Sequence, residues 1–485
     1  MAGVPSLTTT FPVRRGERQL VSPARPTPYE FKMLSDIDDQ DVLRFYRSGA
    51  FFYRSNASAM AGLDPVEVIR SALSEALVHF YPLAGRFREL RPTRKLVVEC
   101  TGEGVVFVEA DADVRMDDLG DFLAPPVPCY DKWLCEPESP TADVVDRPLL
   151  YVQVTRLKCG GFIFAFQICH CMADGIGTVQ FLTALTEFVR GVPGAPTVRP
   201  VWERELLTAS SWPPEISHDH LEYAPLPDAA GDDRAAANPS DVFAHHAFFF
   251  GPTEIAAIRA QAPPALRSAV SRFDLVGAFM WRCRTAALHF FDPDDDDAAA
   301  IVVRLHMFVN ARVRNRSRRP VPRGYYGNAF AFAAASAPAG ELCRRPFRYA
   351  LQLLLEAKAR ASREGYVQSV AGFNAARRRP PFPKARTYLI SDVTQAGMLA
   401  VDFGWGRPVY GGPATIMLAS FHQEGRNEAG EPGIVVPIRL PAPAMERLKR
   451  NVRKGLGAHV DVETKTTADE TNSNMHGGAP VLAKL

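Results

Sequence analysis

The chain predicts a two-part α/β protein, and three observations carry that expectation. At 485 residues with 47% hydrophobic content, it exceeds the roughly 250–300 residues at which a single hydrophobic core stops growing. Its first half alternates apolar runs of strand length with stretches of helical period. Between about Val192 and Ser240 the pattern gives way to Pro, Ala and Asp, as in Trp212-Pro213-Pro214 and Asp228-Ala229-Ala230-Gly231-Asp232-Asp233. An unpatterned connection of that length reads as a crossover between domains or as a disordered segment. The expected division is a first domain over 1–195, a crossover over 196–240, a second domain over 241–457 and a flexible tail over 458–485.

In chain order, Asp64-Pro65-Val66-Glu67 offers a capping carboxylate, proline at the first helical position and glutamate three residues after the cap. Ile69, Leu73 and Leu77 follow at helical spacing, and the helix ends near His79, before Pro82. Lys95 to Cys100 and Val105 to Glu109 read as strands. Leu149 to Leu157 and Gly161 to Cys169 read as a hairpin around Lys158-Cys159-Gly160. The next helix carries Val179, Phe181, Leu182, Leu185, Phe188 and Val189 on one side, placed to seal the strand's end. Beyond the crossover come Phe248-Phe249-Phe250, a helix around Phe273 to His289, an acidic loop at Asp294 to Asp297, and strands at Ile301 to Val309 and Ile434 to Leu440. No short internal repeat occurs.

The 56 basic and 54 acidic residues leave a formal net charge of +2, too weak a field to imply nucleic acid or an anionic membrane as the main partner. The eight cysteines have no CxxC spacing and lie mostly in apolar text, which reads as reduced, intracellular thiols. No secretory leader and no apolar run of membrane-spanning length is present, so a soluble, non-secreted protein is expected. The polar tail ends in Ala483-Lys484-Leu485, a close variant of the Ser-Lys-Leu peroxisomal address. Its expected reader is the peroxisomal import receptor, with a cytoplasmic location as the alternative.

The apolar run Phe162 to Cys169 leads into His170-Cys171-Met172-Ala173-Asp174-Gly175. An imidazole at the end of a buried strand, with a carboxylate four residues on and small residues around it, suits a general base held in a protected channel. More than 200 residues later stands Asp402-Phe403-Gly404-Trp405-Gly406-Arg407-Pro408. Its alternating glycines and aromatics read as a tight turn wedged into a core, with Asp402 expected to pair with an arginine.

Taken together and in this order, the two motifs resemble those of the plant acyl-CoA-dependent BAHD acyltransferases. The resemblance runs through Pro26 to Tyr29, Leu34-Ser35-Asp36-Ile37-Asp38, Tyr81 to Arg86, Val309-Asn310-Ala311-Arg312 and Gly324-Tyr325-Tyr326-Gly327-Asn328, leaving out only the crossover and the tail after about Gly457. Pro28 to Phe31, Cys100 to Gly104, Arg156 to Phe162 and Ser391 to Thr394 are similar to the benzyl alcohol O-benzoyltransferase branch. The chain departs from that branch at Cys171 to Gly177 and at Gln395, where an arginine is usual.

This resemblance implies two chloramphenicol-acetyltransferase-like domains with mixed sheets and flanking helices, joined along an active-site channel. A segment from about 402–424 is expected to complete the first domain. The implied reaction is acyl transfer from acyl-CoA, a co-substrate rather than a permanently bound cofactor, to an alcohol. His170 would be the general base, with no covalent acyl-enzyme. Asp174 is implied to point away from the imidazole and pair with an arginine, rather than orient it as in a hydrolase triad. Asp174, Gly175, Asp402, Gly404, Trp405 and Gly406 are the structural residues at the site. Arg312 is a candidate partner for Asp402 and, with the basic run that follows it, a candidate CoA contact. Candidate oxyanion donors are Thr394, the Trp405 indole and the backbone of Gly175-Ile176-Gly177. Benzoyl-CoA and benzyl alcohol, giving benzyl benzoate as a volatile or an intermediate toward salicylate, fit a peroxisomal enzyme, and a monomer is expected. Another O- or N-acyltransferase, or a non-catalytic relative, is the alternative.

Other readings are plainer. Cys169 and Cys171 flank His170, but on a strand they face away from it and pack as small hydrophobes, so no metal site is expected. His79, His289, His306 and His422 read as ordinary histidines. His218-Asp219-His220 and His245-His246 lack further ligands and read as solvated loop.

Overall fold

A computed structural model describes residues 11–56, 60, 62–120, 123–137, 143–227, 242–290, 300–313, 320–416, 419–427 and 429–457, with the backbone of 466–467. The acidic loop 294–297, most of the basic run after Arg312 and the Ala483-Lys484-Leu485 ending lie outside these residues.

The first half contains strands β1 (Val13–Arg15), β2 (Gln19–Val21), β3 (Phe31–Met33), β4 (Tyr46–Tyr53), β5 (Arg86–Leu90), β6 (Lys95–Glu99), β7 (Val105–Ala112), β8 (Leu150–Leu157) and β9 (Phe162–Cys169). Its helices are α1 (Pro65–His79), α2 (Tyr130–Trp133) and α3 (Gly175–Val189). The second half contributes β10 (Phe243–Phe250), β11 (Val302–Asn310), β12 (Phe330–Pro338), β13 (Thr387–Asp392), β14 (Tyr410–Pro413), β15 (Ser420–Arg426) and β16 (Pro432–Pro441). With them come α4 (Pro252–Ala260), α5 (Arg272–Ala287), α6 (Ala339–Arg344), α7 (Phe347–Ala361), α8 (Tyr366–Arg377) and α9 (Ala442–Leu456).

Two mixed sheets form the body. The first runs β1-β7-β8-β9-β4-β14, with β2 also on β7. The second runs β12-β11-β13-β15-β16-β10 and ends on a short strand at Thr466–Thr467. A small sheet of β3, β6 and β5 stands apart. The hairpin around Lys158 to Gly160 forms as its text predicts, with Leu150 opposite Ile168 and Arg156 opposite Phe162. Buried on both faces, β9 is apolar at nearly every position, so its polar successor His170 falls where the strand ends.

The α1 cap differs in detail from expectation. Asp64 accepts from the Val66 N–H at 3.1 Å, while Glu67 turns to Arg70 instead of closing a capping box. Asp64 also takes two hydrogen bonds from Arg156 of β8, at 2.9 and 2.5 Å, which fixes the helix start to the sheet. A cap of this kind contributes about 1 kcal/mol.

The late chain returns to the first sheet: β14 pairs antiparallel with β4, Tyr410 opposite Phe52. The excursion is shorter than the expected 402–424, because β15 already lies in the second sheet between β13 and β16. The described part of the crossover is an ordered strap, a connection between domains and not a disordered segment. Arg204 and Leu207 are buried, as are Tyr223 and Leu226, and Asp36 donates its N–H to Leu207 O at 3.2 Å. His220, expected in solvated loop, is buried in a relay: Nδ1 lies 3.0 Å from Glu222 Oε1 and Nε2 lies 2.8 Å from Ser369 Oγ on α8. Tyr366 donates to the other Glu222 oxygen at 2.8 Å. Ser369 Oγ also accepts from the Ser217 and His218 N–H groups, so its hydrogen-bonding capacity is used in clasping the strap.

Candidate active site

His170 is held from both sides. Its N–H donates to Phe45 O at 2.8 Å, which fixes the backbone beside β4. Its ring sits 5.4 Å from Phe45 and 6.5 Å from Phe330, centroid to centroid. Nδ1 lies 3.1 Å from Asn328 Oδ1. The Asn328 amide nitrogen donates at 2.8 Å both to Asp38 Oδ1 and to His170 O. That nitrogen must therefore face the two acceptors, which leaves the amide oxygen facing the imidazole. Nδ1 thus carries the ring proton and Nε2 keeps its lone pair.

Asp38 is anchored in turn. Arg204 Nη1 reaches its two oxygens at 3.0 Å each, and Ser35 donates to it at 2.6 Å. Arg204 Nη2 donates to Met172 O at 2.8 Å, and its guanidinium stacks over Trp202 at 4.3 Å. A buried ion pair with this many satisfied hydrogen bonds is rigid. It ties the strap, the Leu34–Asp38 segment and Asn328 to the histidine.

Burial, reinforced by the charge of Arg47, pushes the His170 pKa down to about 4, against smaller opposing effects of Asp174 and Asn328. The imidazole is therefore neutral at ordinary pH, as a general base must be.

Asp174 takes no part in that network. It caps α3, accepting from Gly177 N at 2.9 Å, and receives Arg312 bidentately at 2.6 and 3.1 Å with a further N–H from Ala329. Burial pushes the Asp174 pKa up, but Arg312, with the Gly177 and Ala329 N–H groups, more than offsets it and leaves the carboxyl below its ordinary value. Arg312 therefore serves Asp174 and not Asp402, and its remaining contacts go to Tyr325 O and Gly327 O. Among the described residues no arginine pairs with Asp402, contrary to the expectation from sequence: its Oδ1 accepts from Gly404 N at 2.7 Å and Gly406 N at 2.9 Å. Both glycines have positive φ, 97° and 95°. This turn drives Phe403 against Phe164 at 4.9 Å and Trp405 against Phe162 at 5.1 Å.

His170 opens onto a cavity of about 360 Å³ lined from both halves. Leu43, Phe45, Arg47, Ser48, Asp174, Gly175 and Ile176 come from the first; Phe308, Phe330, Phe332, Leu389, Phe421, Gln395 and Arg312 come from the second. The two side chains expected as oxyanion donors do not reach it. Thr394 Oγ1 is bonded to Asp392 at 2.6 Å, the Trp405 ring is packed in the aromatic core, and neither lines the cavity. Gly175 does line it, yet a methyl group there would meet nothing within 4 Å. The glycine the geometry requires is Gly177, where a methyl group would collide with Tyr326 O. Cys171 turns away, its thiol on Leu43 O at 3.3 Å, and Cys169 is fully buried. Among the described residues no group of three or more His, Cys, Asp or Glu is placed to hold a metal ion, and no helix is long and apolar enough to cross a membrane.

Sequence reasoning missed Asn328, Arg204 and Arg47 as site residues. The available signal was a polar side chain inside apolar text: Arg47 among Phe45, Tyr46 and Phe51, and Asn328 before Ala329-Phe330.

Residues 11–454 match the Transferase family. The chain is 48% identical over 464 residues to a benzyl alcohol O-benzoyltransferase of Petunia hybrida, covering 94% of this chain and 96% of that one. It is 48% identical over 479 residues to a benzyl alcohol O-benzoyltransferase of Nicotiana tabacum, covering 97% and 98%. Alcohol acyltransferase 16 of Actinidia chinensis var. chinensis is 45% identical over 459 residues, covering 94% and 96%. Among solved structures, vinorine synthase matches with a TM-score of 0.68 at 21% identity, over 90% of this chain and 96% of its own. F. sporotrichioides TRI101 complexed with coenzyme A and T-2 matches with a TM-score of 0.61 at 16% identity, over 87% and 97%. These structures share the fold of two α/β halves with mixed sheets and flanking helices.

Proposed function

Because the chain belongs to the BAHD transferase family and is an acyltransferase of it, we propose that it carries the acyl group of a CoA thioester to an alcohol, with benzoyl-CoA as donor and benzyl alcohol as acceptor. The products are benzyl benzoate and free CoA. One observation carries this reading: a neutral imidazole with a fixed tautomer, opening onto a cavity lined from both halves. Nε2 takes the hydroxyl proton as the alcohol oxygen adds to the thioester carbonyl. The imidazolium then returns it to sulfur as the C–S bond breaks. With its pKa held low, the ring is a modest base but a strong acid once protonated, which favours departure of the thiolate. Direct reaction between donor and acceptor in the cavity makes use of proximity and needs no acyl-enzyme.

The donor and acceptor names come from relatives that are 48% identical, and the cavity supports them. Its walls are aromatic, and its lining carries three basic side chains, Arg47, Arg312 and Lys358, against the two carboxylates of Asp174 and Asp392. Such a lining favours a neutral aromatic alcohol over a polyamine. Delivery to peroxisomes is part of the proposal and rests on Ala483-Lys484-Leu485; a diffuse cytosolic signal from a reporter carrying this ending would remove it.

The test is incubation of the purified protein with benzoyl-CoA or acetyl-CoA against a panel of alcohols and amines, following thiol release and product mass. The benzoyl-CoA and benzyl alcohol pair is expected to turn over best. His170→Ala should abolish turnover and leave thermal unfolding cooperative. Retained activity in that variant would remove the general-base role.

A further inference from the structure

Arg47 stands on β4 opposite Ile168 of β9 and lines the cavity alongside His170. Its Nη2 donates to Asp174 O at 2.8 Å and to the Thr178 hydroxyl. Nε is buried without a partner, and Nη1 makes no hydrogen bond among the described residues. The acidic group acting on Arg47 is Asp174, already held by Arg312 and two backbone N–H groups. Two guanidinium groups therefore share the field of one carboxylate at the positive end of the 15-residue α3, Arg312 bonded to the carboxylate itself and Arg47 to the backbone carbonyl of the same residue. Burial lowers the Arg47 pKa to about 10, so the group stays charged at neutral pH. Lys358, at another part of the lining, has its own carboxylate in Asp274. The unmatched positive charge is thus at the His170 end, where it acts on the imidazole itself.

An incompletely neutralised guanidinium in an aromatic cavity is costly to hold. It calls for a negative charge that the resting protein does not supply. A thioester carbonyl and an alcohol are neutral, and the rings of Phe45 and Phe330 beside His170 are poor solvation for a permanent anion. Negative charge does form there transiently during acyl transfer, and a donor braced in advance by Asp174 O and Thr178 suits it.

We propose that Arg47 is a catalytic residue whose Nη1 donates to the oxyanion of the tetrahedral intermediate. The proposal rests on the acyl-transfer reading above. As the alcohol oxygen bonds to the carbonyl carbon, its proton passes to His170 Nε2 and the carbonyl electron pair moves onto oxygen, facing Arg47. When that pair returns, the C–S bond breaks and the proton passes from Nε2 to sulfur. The same charge that weakens His170 as a base stabilises the intermediate it creates.

The test compares wild type, Arg47→Met, Arg47→Lys and His170→Ala with benzoyl-CoA and benzyl alcohol, following thiol release from pH 5 to 9, with thermal unfolding as a check on folding. Arg47→Met is expected to lower kcat by about 10²–10³-fold at unchanged KM for both substrates. The acidic limb of its pH profile should move up toward the ordinary imidazole value. Arg47→Lys should retain an intermediate rate, and added methylguanidinium should restore part of the Arg47→Met rate. A folded Arg47→Met with wild-type kcat, or with a loss confined to KM, would overturn the proposal while His170→Ala remains inactive and the acyl-transfer reading stands. A wild-type protein that releases no thiol, or an active His170→Ala, would overturn both.

Discussion

Asn328 has no freedom to flip its amide, because Asp38 and the His170 carbonyl both require its N–H groups. The proton on His170 Nδ1 is set by that constraint. Asn328→Leu removes the acceptor and leaves Asp38 short of a donor. We expect kcat to fall on the order of 10²–10⁴-fold, the range for misplacing a general base, with a smaller effect on KM; a kinetic series on the folded variant checks it. The pH dependence follows from the same ring. Because the neutral form is active and the pKa is held near 4, kcat/KM should stay flat well below pH 6.5 and fall only as the pH approaches 4. An acidic limb at 6.5 would contradict the burial of the ring. Sequence carried this scale unevenly. The spacing of His170 and Asp174 and the strand before them are local text, and they were legible. The partners were not, since Asp174 meets Arg312 across 138 residues and Asn328 meets Asp38 across 290. Asp402 misled for a related reason: a carboxylate two and four residues before glycines can bond their N–H groups as readily as a distant arginine.

At the scale of elements, the first turn of α3 must approach the segment around Tyr326 closely enough to place Asp174 against Arg312. Gly177→Ala puts a methyl group into Tyr326 O. It should cost about 1–3 kcal/mol as an overpacked contact and reduce activity by displacing Asn328. Gly175→Ala, two residues earlier and with open space around it, should be nearly neutral. Urea denaturation of the pair distinguishes the two positions, and equal losses would refute the close-approach argument. The turn at Asp402 should behave differently. Gly404→Ala forces a side chain to φ 97°, a strain of about 1–3 kcal/mol, and should lower stability without moving the acidic limb of the rate profile. Element types were largely readable because α1, the 150–169 hairpin and α3 have strong local periodicity. The crossover was not, because Arg204 and His220 are buried only through partners on other segments.

At the scale of the molecule, the imidazoles of His170, His306 and His422 are held neutral: His170 near pKa 4, and His306 and His422 near 3, each lowered chiefly by burial. Below about pH 6.5 the unfolded chain binds protons at these positions that the native state refuses. Stability should therefore be full above that value, decline as pH falls from 6.5 toward 3, and level off on their account below it. Neither His422 nitrogen has a hydrogen-bond partner among the described residues, so His422→Leu should flatten the decline in melting temperature between pH 7 and 4. An unchanged slope would count against the linkage. The two-part architecture was legible from length and patterning, whereas the return of the chain to the first sheet was expected only through the family resemblance and with too long a span, since the four residues of β14 carry too little pattern to announce a partner so far upstream.

That return orders events during synthesis. The ribosome makes β4 and β9 early, but β14, which pairs with β4, follows β9 by roughly 240 residues, on the order of 10–50 s at ordinary elongation rates. Throughout that interval the nascent first sheet presents β4 as an open edge, a template for pairing with other chains. Truncated products that stop short of Pro413 should accordingly be more sticky than the finished chain.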